Sequence, residues 1–444
     1  MANSIQETAN LHLSYAPGKA LDSAALVTET HGDSFLTPAA VKDIQRAPLD
    51  EVLDGWNSLA QSDDILVRRL AQRSLLEVEL ALYAEDQVTG TADMSKEIGI
   101  LQEQLHEHYD EGLYKSALKR RIETLHNLTL KDAKLMELRR GLLDDLRSIH
   151  YGIEAGETEI VEPTKETLSR INEWQQGQFG DIIAAVDTAE RDTLNAEDIK
   201  RVFDLAIATT PNLRQNNWTA TIIDRQKQAI SVYTPVTDIV IPRTRTATKE
   251  KSKQLAVHEP LGHALRSANA FMAGDPVGTL GTPTYARFEE SFFIAGEQCL
   301  ANKYQPLRGI DHYVAVGLAV TSHQTIDDIA SIFYRLHLLS AAVKGDSTKI
   351  EAQAKRLATA QVQRTFAGMT DVDPGIANRR DINYLHGLND SWRLLNFLTE
   401  HDLVESGMAW LMAAKFNPFD EDDRAMVEKY HPMPMALKPF FEAA

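Results

Sequence analysis

Apolar positions follow a helical period over most of the chain. Across residues 131–150, Leu135, Leu138, Leu142, Leu146 and Ile149 recur at steps of three and four, the stripe of a helix with one buried face. The same spacing predicts helices over 63–83 and 164–177. Asn195, a good N-cap, opens another that carries Ile199, Val202, Phe203, Ala206 and Ile207, and Pro211 stops it. Residues 152–163, rich in Glu and Gly, read as a linker. The period then shortens. Runs 218–223, 229–233 and 238–241 are short, β-branched and separated by turn-forming residues, which predicts a small antiparallel sheet. Helical spacing returns over 249–270. From Ala286 it continues nearly to the end, with a Gly/Pro/Asp break at 368–375. The expected fold is therefore mainly α with a small antiparallel β-sheet (α+β). Two regions are expected, a helical one over 1–190 and a second domain over 191–444.

Composition narrows the functions. With 43% hydrophobic residues the chain can bury a sizeable core. Its net charge of −18 opposes binding to nucleic acid or an anionic membrane, since both need a basic surface. Cys299 is the one cysteine, so no intrachain disulfide forms. The N-terminus lacks a basic start followed by an apolar run. Together these predict a cytoplasmic protein. The longest apolar runs, such as 313–321, are too short to span a bilayer.

Chemistry concentrates in His258-Glu259-Pro260-Leu261-Gly262-His263. Two imidazoles flank a carboxylate, the grouping a zinc hydrolase uses for metal ligands and for an acid/base acting on water. The common zinc-peptidase spacing is H-E-x-x-H, with histidines at i and i+4. Here they stand at i and i+5, which on a regular helix leaves the rings roughly 140° apart. Both can reach one metal only if the helix widens or bends, and Pro260 and Gly262 lie inside the interval. The helix around Pro260 is thus predicted to depart from α geometry and turn both rings toward a third ligand. Residues 285–297 supply candidates at Glu289, Glu290 and Glu297. Glu290 and Glu297, two turns apart, share a face, and Glu289 points about 100° away. Glu290 is the expected ligand; Glu297 either backs the site or is a surface charge. Zn2+ on His258, His263 and Glu290, one per chain, with Glu259 as proton acceptor, describes a hydrolytic centre. Three other signals are set aside. His106 and His108 are two apart on a helix, 420–423 reads as an acidic helix start, and 274–281 lacks a P-loop lysine.

The segments around the motif follow a recognisable order: HEPLGHALRSAN, YARFEESFFIAGE, RTFAG and RRDINYLHGL. This order resembles the metallopeptidase family that includes MATCAP, the tubulin tyrosine carboxypeptidase, and bacterial QEGLA-motif proteins. That family has an H-E-I-G-T-H-x-L-R helix, a Q-E-G-L-A helix and a K-D-x-x-Y-L-x-G segment. Leu265 and Arg266 follow the six-residue motif as in the family. Glu290 stands at the glutamate of Q-E-G, and 380–387 matches the last segment. Pro260, Gly262 and Ser291 depart from the pattern, and Ala367 replaces a second arginine. The resemblance spans about residues 195–395.

It implies a zincin-like core and a zinc-dependent, carboxypeptidase-like metallopeptidase acting on a peptide or protein substrate. Arg266, Arg364 and Arg380 are then candidates to hold the substrate's terminal carboxylate, and Tyr384 to stabilise an oxyanion. A weaker resemblance, to dipeptidyl peptidase III, rests on the H-E-x-x-G-H form and a later Glu pair. Hydrolysis of another amide, or a helical interaction protein with a structural site, are the other readings.

Overall fold

Helix boundaries in this chain are set by short polar side chains. The side chains of Asp110, Asp132, Thr164, Asn195, Thr248, Asp275 and Asp420 each accept a hydrogen bond from a backbone amide two or three residues on. Each satisfies a donor that the first helical turn leaves unpaired. At Asn195 the exchange is reciprocal, with Asp198 accepting from the Asn195 amide. Pro211 does more than stop a helix, because it occupies the first turn of the next short one.

The computed structural model describes residues 49–63, 68–69, 71–76, 79, 83, 95–105, 109–224, 229–344, 350–366 and 374–443. The elements run α1 (Leu49–Leu59), α2 (Ser95–Leu105), α3 (Glu111–His126), α4 (Ala133–Gly152), α5 (Lys165–Asp187), β1 (Thr193–Asn195), α6 (Ala196–Thr209) and α7 (Pro211–Gln215). Strands β2 (Thr219–Ile223), β3 (Ser231–Tyr233), β4 (Asp238–Pro242) and β5 (Thr246–Thr248) follow. Then come α8 (Lys249–His258), a π-helical turn (Glu259–Ala264), α9 (Leu265–Met272), α10 (Pro276–Leu280) and α11 (Tyr285–Leu300). The rest is α12 (Ile310–Val320), α13 (Ile326–Lys344), α14 (Ile350–Phe366), a 3-10 turn (Arg379–Asp381), α15 (Ile382–Glu400), α16 (Val404–Leu411), α17 (Glu421–Tyr430) and α18 (Lys438–Ala443). The described residues are mainly helical with a small sheet component, an α+β fold. The helix expected over 63–83 is described only in part, and 106–108 and Ala367 lie outside the described residues. No described helix is long and apolar enough to cross a membrane.

The expected antiparallel pairing occurs between β3 and β4, and a second antiparallel pair that was not anticipated joins β1 to β5. β2 differs, because it runs parallel to β4 in a three-stranded sheet of order β2-β4-β3. Asp238 explains the register. Its carboxylate accepts from the Thr219 hydroxyl at 2.9 Å and the Thr221 hydroxyl at 2.7 Å, tying the start of β4 to the start of β2. β3 is left as an edge strand.

Buried clusters do not follow the boundary expected at 190/191. Leu113, Tyr114 and Leu142 share one core with Tyr313, Phe333 and Leu385. Leu168 and Ile171 of α5 share another with Phe292, Trp392 and Phe416. The third cluster joins α6, the sheet and α8 through Phe203, Ile239 and Leu255. The linker is anchored to α15. The Asn389 side chain donates to the Glu159 carbonyl (2.8 Å) and accepts from the Val161 amide (2.7 Å).

The α11–α15 contact positions the site. A Cβ added at Gly387 would stand 2.3 Å from the Arg287 carbonyl oxygen. One helical turn away, the Ser291 hydroxyl donates to the Asn383 carbonyl at 2.7 Å. Backbone lies against backbone, so no side-chain motion relieves a larger residue. Gly387→Ala is therefore expected to lower the unfolding free energy by about 1–3 kcal/mol, measured by urea denaturation; an unchanged value would show that the helices have slack.

Candidate metal centre

The local fold brings the two motif histidines together. α8 ends at His258, and the π-helical turn spans Glu259–Ala264 before α-helix resumes at Leu265. Proline cannot donate at position 260, so the α-helical ladder is interrupted where the wider turn begins. The extra width rotates His263 onto the face of His258, and their ring centroids are 4.9 Å apart. Gly262 permits this turn to sit on α11, because a Cβ there would lie 2.8–2.9 Å from Phe293 ring carbons. Phe293 in turn packs 4.8 Å from the His263 ring and 5.6 Å from the His258 ring.

Three acidic residues of α11 divide the work. His258 Nδ1 lies 2.9 Å from Glu297 Oε1, and His263 Nδ1 lies 2.7 Å from Glu289 Oε1. Each ionised carboxylate accepts the Nδ1 proton, so loss of the second ring proton would free Nε2 for a metal. Burial opposes charging either ring, but the surrounding glutamates hold both histidines above the ordinary imidazole value in the metal-free protein. Both Nε2 atoms are 3.5 Å from the same oxygen, Glu290 Oε2. His258, Glu259 and His263 also offer ligand atoms within 4.8 Å of one another, a looser grouping than the contacts to Glu290. Ligand atoms at about 2.0–2.1 Å from a tetrahedral zinc stand roughly 3.3–3.4 Å apart. The two 3.5 Å separations are close to two edges of that tetrahedron meeting at Glu290 Oε2, and two imidazoles with one carboxylate are a zinc donor set that keeps a position open. The residues present therefore fit Zn2+.

Charge around the centre is paired outward. Lys251 Nζ meets Glu297 Oε2 at 2.7 Å. Glu289 is almost fully buried, with Lys415 Nζ at 3.7 Å and the Arg266 guanidinium at 4.0 Å. Burial opposes ionisation of Glu289, but Lys415, His263 and Arg266 outweigh it and pull the carboxyl down to about 2. Burial also opposes Glu297, and His258 and Lys251 bring it to about 2. Glu259 is shifted the other way, since burial raises it despite the two histidines.

A cleft of about 610 Å³ opens over these residues. His258, Glu259, His263, Glu290 and Tyr384 all line it, and so does Arg380. Burial raises the Tyr384 hydroxyl, with Glu290 adding to the effect. Two of the arginines expected to meet substrate are elsewhere. Arg266 has no exposed surface and donates to the Phe416 carbonyl at 3.0 Å, so its role is structural, behind Glu289. The helical twist that follows the π-turn directs it into the core instead of the cleft. Arg364 is outside the cleft lining. Its Nε donates to Asp381 at 2.7 Å, and its guanidinium lies 5.5 Å from the Tyr384 ring, where it supports that side chain.

Several cleft residues were not anticipated from the sequence: Glu289 as a histidine partner, and Lys251, Arg245, Arg308 and Lys415. One signal could have found Lys251. It lies seven residues before His258, as Glu297 lies seven after Glu290, so the pair shares the faces that meet. Arg308 and Lys415 come from distant loops that no local spacing connects to the motif.

No family model matches this chain, and no curated protein or solved structure matches it.

The depressed carboxyls set a pH dependence in the metal-free protein. A carboxyl whose folded value lies near 2, against an ordinary 4.5, adds stability above pH 4.5 that is lost as pH falls toward 2. Unfolding free energy, followed by denaturant titration across that window, is expected to fall with acid in the native protein. The slope should be shallower in Glu289→Gln; equal slopes would show that Glu289 carries none of it.

Proposed function

We propose that the chain is a zinc-dependent metallopeptidase, carboxypeptidase-like in substrate choice, as the MATCAP-like segments imply. One observation carries this reading. Two imidazole Nε2 atoms face a single Glu290 oxygen at 3.5 Å each, while a different carboxylate holds each Nδ1. With each Nδ1 held by its own carboxylate, both Nε2 atoms turn toward one oxygen on the cleft, the orientation that a shared metal would need.

His258, His263 and Glu290 would hold the metal. When bound, zinc would acidify a water molecule and polarise a carbonyl. Glu259 lies beside these ligands on the cleft wall and would accept the proton of the attacking water, then return it to the departing amine. Tyr384 would donate a hydrogen bond to the oxygen of the tetrahedral carbon, held in place by Arg364 and by the His312 ring 5.4 Å away. β3 supports a peptide as substrate. It is the sheet edge, and Val232, with Ala229 and Ile230 just before it, lines the cleft. An extended chain can add there as a further strand. Arg308 and Arg380 on the same cleft are exposed and suit a carboxylate at the substrate's end.

Purified protein is expected to carry about one zinc per chain by elemental analysis, as a three-ligand site holds. His263→Ala should lose it. Glu259→Gln should keep it and lose peptide hydrolysis. A native protein that binds no zinc, or a fully active Glu259→Gln, would overturn the reading. Among peptides differing only at their end, the free acid should be cleaved in preference to the amide. Arg380→Gln should raise KM about tenfold with little change in kcat. Equal cleavage of acid and amide would remove the carboxypeptidase part while leaving the metal centre intact.

A further inference from the structure

A second cavity, of about 290 Å³, shares no lining residue with the metal-site cleft. The α11 and α15 helices contribute different residues to the two spaces. Glu290 and Tyr384 face the cleft, and Arg287 and His386 line the second cavity. Its wall is unusually basic for a chain of net charge −18. Three arginines, Arg287, Arg393 and Arg424, meet only two carboxylates there, Asp110 and Asp390.

Those two carboxylates are already committed. Asp390 Oδ2 lies 3.3 Å from Arg287 Nη2 and 3.5 Å from His386 Nδ1. Asp110 accepts from the Leu113 amide at 3.0 Å and the Thr158 hydroxyl at 3.3 Å. The donors, by contrast, are in surplus. Arg287 Nε is buried without a hydrogen-bond partner. Arg424 uses one nitrogen on the Pro418 carbonyl at 2.7 Å. Arg393 is exposed and has no ion pair among the described residues. A guanidinium carries five donors, so several remain available. Phe419 and Phe441 complete the wall, and the Arg424 guanidinium lies 4.8 Å from the Phe441 ring.

We propose that this cavity binds a small organic anion, whose phosphate or carboxylate group is held by Arg287, Arg393 and Arg424 and whose apolar part rests on Phe419 and Phe441. Excess positive charge beside an apolar wall selects such a molecule over a cation or a neutral sugar. A planar guanidinium matches either oxyanion with paired hydrogen bonds. The bound anion would join α11 and α15 to α17 and α18, elements that otherwise meet across the cavity. This site does not depend on the chain being a peptidase.

Calorimetry on the full-length protein with phenyl phosphate and, separately, benzoate tests it. The stronger of the two identifies the preferred oxyanion. Saturable binding is expected for at least one, weakened about tenfold or more in Arg393→Gln, the loss of a charge-assisted hydrogen bond. Arg393 is exposed, so this variant should fold. Arg424→Gln gives a second reading on another element. Arg380→Gln, altered in the metal-site cleft, should bind as the native protein does. The proposal is overturned if neither probe binds. It is equally overturned if binding survives Arg393→Gln and Arg424→Gln, or if Arg380→Gln alone abolishes it.

Discussion

Pro260 has no amide hydrogen, so the Ala256 carbonyl four residues earlier cannot receive its usual helical hydrogen bond. The chain responds with the π-helical turn of Glu259–Ala264. That widening costs regular hydrogen bonding, and the cost is met by burial, since Pro260, Leu261, Gly262 and Ala264 are all enclosed. The position of His263 depends on it. A regular helix would send that ring away from His258 and Glu290. Gly262 and Phe293 complete the arrangement, one by leaving room and the other by filling it with a flat ring against both imidazoles.

Around this turn the charges form two parallel chains. One runs from Lys251 through Glu297 to His258, and the other from Lys415 through Glu289 to His263. Each buried carboxylate has a cation behind it and an imidazole in front. Buried charges are tolerated when paired and hydrogen-bonded in this way. The outer cations also keep Glu289 and Glu297 ionised, so that they act as acceptors for Nδ1 hydrogens. Glu290 is shared between the chains, and of the three carboxylates on α11 it alone has appreciable exposure.

Much of this was legible in the sequence, for identifiable reasons. Local patterns carried local structure: the Leu135–Ile149 stripe lies on α4, and Asn195 caps α6. The awkward i, i+5 spacing, with Pro260 inside it, announced a departure from α geometry, and the helix departs there. Glu290 was the expected ligand, and Glu289 the residue expected to point away, because a helix separates neighbours by about 100°. The same twist hid Glu289, which looked misdirected yet reaches His263 from its other side. Arg266 was a carboxylate candidate only through the family resemblance, and it lies buried behind Glu289 instead. The parallel β2–β4 pair was set by hydroxyls of Thr219 and Thr221 on Asp238, a contact between segments whose runs looked like a simple meander. Arg308 and Lys415 reach the cleft through tertiary packing, which has no periodic trace.

The ring of Phe293 has a further consequence. It sits edge-on to His263 and tilted against His258, on the side of the imidazoles away from the cleft, with Val257, Leu261 and Phe292 behind it. The pair of histidines is thus sealed from below by hydrocarbon and open only above. An ion and a peptide, on the proposed function, would therefore share one doorway. Whatever lay in the cleft would become a lid on a bound metal and would slow exchange of the ion for as long as it stayed. Retention of a metal would in this sense be a property of the traffic through the cleft as well as of the ligands that grip it.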